Sequence, residues 1–226
     1  GNQLIAMKKQ TGDTVWEVPE KFSSWGTPVI TEIEGKDQLL YCPAYMVKSV
    51  DPKTGIENWR CEGLMEYVYT SPLYSAKHNI VVAMSGYQKS ALAVKLTGKT
   101  KYTKEDLLWH HPRNDQRVGS GVIVGDHIYI HEEAGSAIAN AIGPKCFELT
   151  TGKEVWGLEK KIGSVNWGSM VHVDGKLYVM TRDCTTFVFK ASPKFEILAT
   201  NKLEKGDTTN STPVISNGEI FLRTNR

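Results

Sequence analysis

Apolar and polar residues alternate over short stretches of this chain. Val171 and Val173, then Leu177 and Val179, fall on every second position. A period of two sends successive side chains to opposite faces of a strand. Asp174-Gly175 separates these two runs, and Asn217-Gly218 separates "TPVIS" from "EIFLR". Such pairs favour two-residue hairpin turns, whose central residues both need positive φ. The pattern predicts antiparallel strands joined by tight turns.

The strands recur in sets. A Thr-Gly pair followed by a tryptophan appears as Thr11, Gly12 and Trp16, as Thr54, Gly55 and Trp59, and as Thr151, Gly152 and Trp156. Gly98 and Trp109 form a further copy interrupted by "KTKYTKEDLL" at 99–108. In "KASPKFEIL", Ser192-Pro193 stands where Thr-Gly is expected, with Ile197 or Leu198 near the tryptophan position. The glycines are spaced by roughly 43 and then 54 residues, the range of four-stranded propeller blades. A second motif runs in phase: "WGTPVI", "YTSPLY", "GSGVIV", "WGSMVHV" and "NSTPVI". Each unit then reads as four strands, A to D. A tight turn joins A to B, a variable loop joins B to C, and Thr-Gly joins C to D. Glycine supplies the positive φ that this last turn needs. One such sheet cannot bury both faces alone, and stacked neighbours can. The tryptophan at the end of strand D is expected to be a packing residue, buried in the gap between neighbouring blades.

This TGxxxW unit, with its "SPV"-type and "DGxLYV"-type runs, resembles the PQQ-like (quinoprotein alcohol dehydrogenase-like) β-propeller repeat. The resemblance covers essentially the whole chain. It implies an all-β fold, a β-propeller of four-stranded antiparallel blades. The expected blades are 1–19 (half), 24–61, 69–112, 118–159, 165–203 and 210–226 (half), which makes four complete and two half blades. Two arrangements fit: a five-bladed ring closed by the two halves, or part of a longer propeller of seven or eight blades. The resemblance extends to secreted bacterial propellers and the outer-membrane assembly lipoprotein propeller. It thus implies an extracytoplasmic location, periplasmic or secreted, and a non-catalytic binding or scaffold role toward protein partners. The alternative is a PQQ- and calcium-dependent quinoprotein dehydrogenase whose site lies partly outside this segment. Such an enzyme is expected to carry PQQ, Ca²⁺, a catalytic Asp and a vicinal disulfide. No Cys-Cys pair occurs here, and no calcium ligand pattern stands out. The reading therefore assigns no cofactor, no metal and no catalytic residue.

Composition narrows the partners. The 226 residues are 40% hydrophobic and 23% charged, with 27 basic and 25 acidic residues. Neither sign dominates and no long basic run appears, so nucleic acid is not indicated. No apolar run approaches the ~20 residues of a membrane-spanning helix. The chain opens on the polar "GNQ", without a signal-peptide pattern; a mature secreted protein or a fragment reads the same way. Cys42, Cys61, Cys146 and Cys184 form no CxxC, which argues against a zinc ribbon or a thioredoxin-like motif. Free, partly buried thiols are expected, with disulfides left open.

His127 and His131 share a strand face and, with Glu133, raise the question of a metal. Across the repeats, however, their columns hold Lys176 and Glu219, and Met180 and Arg223. These columns read as solvent-facing or rim positions. Trp25 and Trp167 each precede a glycine at the start of a strand A and are read as wedges near the channel, with stacking on a sugar or peptide as the alternative. The long loops fall on one face. They are the B–C loops 85–91 and 131–144 and the D–A links 62–70 and 110–120. Long loops on a rigid scaffold are where binding concentrates. Met65, Tyr67, Tyr69, His111, Arg113 and Arg117 are the candidate partner-binding residues. The insert 99–108 is the one elaborated turn on the opposite face.

Overall fold

The computed structural model describes residues 2–21, 24–87, 90–113, 118–132, 143–157, 162, 164–203 and 206–225. The chain forms two compact units, residues 1–114 and 115–226.

Among its described residues the first unit holds three sheets, in each of which consecutive strands run antiparallel. β1 (Gln3–Met7) pairs with β2 (Thr14–Pro19). β3 (Val29–Ile33), β4 (Lys36–Tyr41), β5 (Met46–Val50) and β6 (Glu57–Glu62) form a meander. β7 (Leu73–Ser75), β8 (Ile80–Met84), β9 (Ala91–Lys95) and β11 (Leu107–His111) form the next. These last two sheets share one core, in which Leu40, Val47, Trp59 and Cys61 meet Val81, Ala83, Leu92 and Val94.

The second unit repeats the arrangement. β12 (Val122–Val124), β13 (His127–Glu132), β14 (Gly143–Glu148) and β15 (Glu154–Trp156) form one meander. β16 (Val171–Val173), β17 (Lys176–Met180), β18 (Thr185–Lys190) and β19 (Ile197–Lys202) form another. Tyr129 and Cys146 of the first pack against Leu177, Val179, Phe187 and Phe189 of the second. A hairpin of β20 (Val214–Ser216) and β21 (Glu219–Phe221) follows.

The turn chemistry explains the motif. Asp174-Gly175, Asn217-Gly218 and Glu34-Gly35 all take positive φ at both residues, the geometry that matches strand twist in a two-residue hairpin. At the C–D turns, Gly12, Gly55 and Gly152 lie at φ 77°, 73° and 68°. Their N–H groups donate to Lys8, Asp51 and Glu148 carbonyls at 2.8, 2.8 and 2.9 Å. The preceding threonine hydroxyl accepts the N–H two residues on, from Asp13, Ile56 and Lys153. Threonine closes the turn and glycine relieves its backbone.

A register shift after each such turn places the tryptophan. Trp16, Trp59, Trp109 and Trp156 pair with Ala6, Ser49, Ala93 and Cys146. A small residue opposite each indole leaves it room. The fifth copy inverts this volume pattern, with Ala199 opposite Val188. Ala199, and not Ile197 or Leu198, therefore occupies the tryptophan column. The cause is a longer turn: Lys190 N–H donates to Glu196 O, one residue further than the equivalent bond from Asp51 to Ile56. Trp59 is buried, at 5% exposure, whereas Trp16, Trp109 and Trp156 are half-buried. Trp16 and Trp156 each donate Nε1–H to a carbonyl in the turn of the next sheet, Pro52 and Ser192, both at 3.1 Å. Trp59 donates to Gln38 Oε1 at 3.0 Å.

The insert 99–108 departs from its expected role as a lengthened turn. Its β10 (Lys101–Tyr102) leaves its own sheet and pairs in parallel with β6, giving the order β10-β6-β5-β4-β3. Tyr102 is buried edge-on to Trp59, with centroids 5.9 Å apart. Its hydroxyl accepts the N–H groups of Thr97 and Lys99 at 2.9 and 3.2 Å. The insert covers the outer edge of a sheet, which open strands otherwise expose.

Candidate functional site

The link 62–70 leaves β6 and is fixed on both sides. Leu64 and Val68 point inward into the shared core. The backbone between them is tied to three neighbouring segments. Gly63 and Leu64 N–H donate to the Tyr45 carbonyl at 3.1 and 3.2 Å, and Tyr45 N–H donates to Met65 O at 3.1 Å. Met65 N–H donates to Ser85 Oγ at 2.9 Å, and Gly86 N–H to Tyr67 O at 2.7 Å. Trp25 N–H donates to Val68 O at 2.9 Å. Gly26 makes this last approach possible, since a Cβ there would lie 2.4 Å from the Thr70 carbonyl oxygen. Gly119 and Gly168 stand in the same relation to Gly168 and Ser211.

What faces outward is aromatic. Trp25 is 56% exposed and Tyr67 47% exposed. Trp25 stacks on half-buried Tyr69, with centroids 4.8 Å apart and planes at 10°. Tyr87 meets Tyr69 and Tyr67 edge-on at 5.2 and 6.0 Å. Tyr45, Tyr67 and Tyr87 take φ of 76°, 64° and 54°. Left-handed backbone at bulky residues costs about 1–3 kcal/mol each and persists only where surrounding structure enforces it. Beside the rings lies a groove of about 400 Å³ lined by Tyr45, Met46, Met65, Ser90, Lys104 and His110, among others. His110 Nε2–H donates to the Gly63 carbonyl at 2.9 Å.

Of the residues singled out in the sequence, Met65, Tyr67 and Tyr69 come together here. His111 lies instead against Trp109, 4.9 Å between ring centroids, and Arg113 is exposed beyond β11. Arg117 lies outside the described residues, as do most of the loop 131–144 and Glu133. Trp25 joins the cluster as a stacked ring. Tyr45, Tyr87, His110 and Lys104 were missed. The repeat held one usable signal: Trp25 and Tyr69 precede Gly26 and Thr70 at equivalent positions of consecutive units.

The solvent-facing reading of His131 is corrected: it is 2% exposed. Met180 in the same column is equally buried, whereas Arg223 is exposed, so burial at this strand end depends on what covers each copy. His127 is half-buried, 6.3 Å from the Tyr129 ring. Among the described residues no three His, Cys, Asp or Glu side chains converge as a metal site. All four cysteines are free and buried. Burial pushes the Cys61 thiol up to about 12, and Cys146 to about 11 despite a hydrogen bond with Tyr129 that opposes the rise. Protonated, enclosed thiols are unreactive. The four free cysteines form no vicinal disulfide.

In the second unit, Asp183 organises the B–C loop. It accepts hydrogen bonds from Thr181, Ser164 and Thr185 hydroxyls at 2.7, 2.9 and 3.1 Å, and lies 3.4 Å from Lys202 Nζ. Burial would raise its pKa, but these donors outweigh it and hold the carboxyl down at about 2. A depressed carboxyl pKa stabilises the fold above the unfolded value of about 3.9, and that contribution disappears as pH falls through about 2. With the side chain 42% exposed, screening keeps the gain to on the order of 1 kcal/mol. Asp183→Asn is expected to lower Tm by roughly 2–4 °C at pH 7. The gap should close between pH 4 and 2 in parallel thermal melts.

The fold these sheets, turns and stacked repeats define is a β-propeller. BamB from Moraxella catarrhalis superposes on 96% of the chain with a TM-score of 0.65 and 13% identity, and the chain spans 62% of that structure. Quinohemoprotein alcohol dehydrogenase ADHIIG from Pseudomonas putida HK5 gives a TM-score of 0.59 at 12% identity, covering 97% of this chain and 40% of that one. The quinohemoprotein alcohol dehydrogenase from Comamonas testosteroni also gives 0.59 at 12% identity, covering 88% and 39%. No protein-family model matches the chain, and no curated protein matches it in sequence.

Proposed function

We infer that this chain is a non-catalytic binding module that holds a protein partner on the face formed by the link 62–70 and the loops around it. The observation that carries the reading is the exposed ring cluster on a backbone stitched to three neighbouring segments. Rigid, exposed Tyr and Trp side chains supply large contact area with little conformational entropy to lose, and they are enriched at binding hot spots. The likeness to BamB, an outer-membrane assembly lipoprotein, supports a scaffold role and an extracytoplasmic location. Candidate contacts are Met65, Tyr67 and Tyr69, with His111 and Arg113 at the end of β11; Arg117 is a candidate on its sequence position alone. The outer part of the insert, 99–102, is a poor gripping surface, because Tyr102 is committed to the core.

Capture from the source organism tests this. Tyr67→Ala with Arg113→Ala is expected to release the captured partner, while Lys99→Ala with Lys101→Ala leaves it bound. The reverse pattern would place the binding face on the other side.

The likeness to quinohemoprotein dehydrogenases motivates the competing enzyme reading. Adding PQQ with Ca²⁺ to the purified chain is expected to leave Tm unchanged, since only a ligand preferring the native state stabilises it. A clear upward shift, or alcohol-dependent dye reduction, would favour the enzyme.

A further inference from the structure

We propose that the insert 99–108 is a clasp that positions the root of the link 62–70. Tyr102 is its latch: the insert and residues 63–64 open together, while the strands of the shared core stay folded. The inference rests on the binding-module reading only for its consequence, because the coupling is a property of the chain alone.

The insert lies at the place where the link begins. β10 pairs Lys101 with Arg60 and Tyr102 with Cys61, and Arg60 N–H donates to Thr100 O at 3.1 Å. Glu62, the last residue of β6, lies 3.5 Å from Lys101 Nζ. Further along the insert, Lys104 lines the same groove as Glu62, Gly63 and Met65. The Thr-Gly turns at Gly12, Gly55 and Gly152 carry no such insert. The one elaborated turn thus sends a strand onto the sheet from which the link 62–70 leaves.

The strand that follows the insert completes the grip. β11 starts at Leu107. A Cβ on Gly63 would lie 3.0 Å from Leu92 Cδ2, 3.7 Å from Leu107 Cδ1 and 3.9 Å from His110 Cδ2. His110 Nε2–H donates to Gly63 O at 2.9 Å. The backbone of β10 therefore holds 60–62, and side chains of β11 close around Gly63. Residues 63 and 64 then hang on Tyr45 O through their two N–H groups.

A two-residue strand has little ladder of its own, so its anchor matters. Tyr102 is 1% exposed and meets Trp59 edge-on. Its hydroxyl accepts Thr97 and Lys99 N–H. Beyond it, Thr103 N–H donates to Asp106 at 2.9 Å and Asp106 N–H to Thr103 O at 3.0 Å, which makes 103–106 one compact piece. Short elements with few buried contacts open locally, at lower free energy than the whole unit, and segments bonded to each other open as one.

Hydrogen–deuterium exchange of the intact chain, without any partner, tests this. In the wild type, Arg60 and Asp106 amides report the insert, Gly63 and Leu64 amides the root, and Val81 and Val82 in β8 the core. Insert and root are expected to exchange at one common rate, faster than the core. Tyr102→Phe keeps the ring against Trp59 and loses the two hydroxyl bonds. It should speed insert and root alike, by roughly 5-fold. Tyr102→Ala should speed both by at least ~10-fold. Root amides that ignore Tyr102→Phe while Arg60 and Asp106 respond would overturn the proposal, and the insert would then only seal an edge. Root amides as slow as Val81 and Val82 in the wild type would overturn it too. Partner capture separates this from the reading it rests on. If Tyr102→Ala speeds Gly63 and Leu64 yet capture is unchanged, the clasp stands and the link is not the binding face. If Tyr67→Ala releases the partner while the root ignores Tyr102, the binding module stands and the clasp falls.

Discussion

Trp59→Ala is expected to destabilise the first unit by about 3–5 kcal/mol, the usual range for truncating a buried aromatic. Trp59 sits in the core shared by two sheets, edge-on to Tyr102. Removing it opens a cavity under β10 as well as between the sheets, so neither wall can collapse into the gap without giving up its own pairing. Trp59→Phe separates packing from hydrogen bonding. It keeps most of the ring and loses the bond to Gln38 Oε1, whose oxygen retains Ser49 Oγ at 2.6 Å. That change should cost only about 1 kcal/mol from the hydrogen bond, plus a small packing loss. Trp16→Ala, at a half-buried position, should cost less than Trp59→Ala. Chemical denaturation of the three variants checks the ranking. Equal losses at Trp16 and Trp59 would mean that burial does not set their contribution.

The second large effect is expected at Glu20. This residue follows β2 and reaches into the neighbouring sheet, where its carboxylate lies 2.8 Å from Lys48 Nζ and accepts a hydrogen bond from Tyr41. Both members of the ion pair are mostly enclosed, with side-chain exposures of 14% for Lys48 and 11% for Glu20. Burial, together with the Glu20 bond, pushes the Tyr41 phenol up, so it remains a donor throughout the accessible pH range. Glu20→Ala leaves an enclosed ammonium with Glu57 at 4.0 Å as its remaining carboxylate, and strands the phenol. Breaking a buried pair by removing one partner costs about 3–5 kcal/mol, because the other charge stays desolvated. The double variant Glu20→Ala with Lys48→Met should recover much of the loss. Thermal melts of the single and double variants provide the check, and a double variant as unstable as Glu20→Ala would show that the charge left behind is not the cause.

The sequence made the repeat legible because its turns obey local rules. Thr-Gly and Asp-Gly carry their conformations in two residues, and a register shift then fixes the tryptophan column. What local pattern could not show was choice of partner. β10 is two residues long, and nothing in "KY" says that it pairs in parallel with β6. The Ser192 turn hid an extra residue, so the fifth copy was read out of register and Ala199 was overlooked. At the candidate site, Met65, Tyr67 and Tyr69 were visible as exposed types on a long link. Tyr45 and Tyr87 were not, because their left-handed backbone is imposed by neighbouring loops and has no sequence signature. His131 was misread for a similar reason: burial at a strand end depends on what covers it.

The central claim is that a partner docks on the link 62–70 and the loops tied to it. Hydrogen–deuterium exchange of the chain, alone and with its captured partner, tests it most directly. Slowed exchange is expected at 62–70 and 85–87, with the turn at 97–100 unchanged. Protection confined to 97–106, with none along 62–70, would contradict the account.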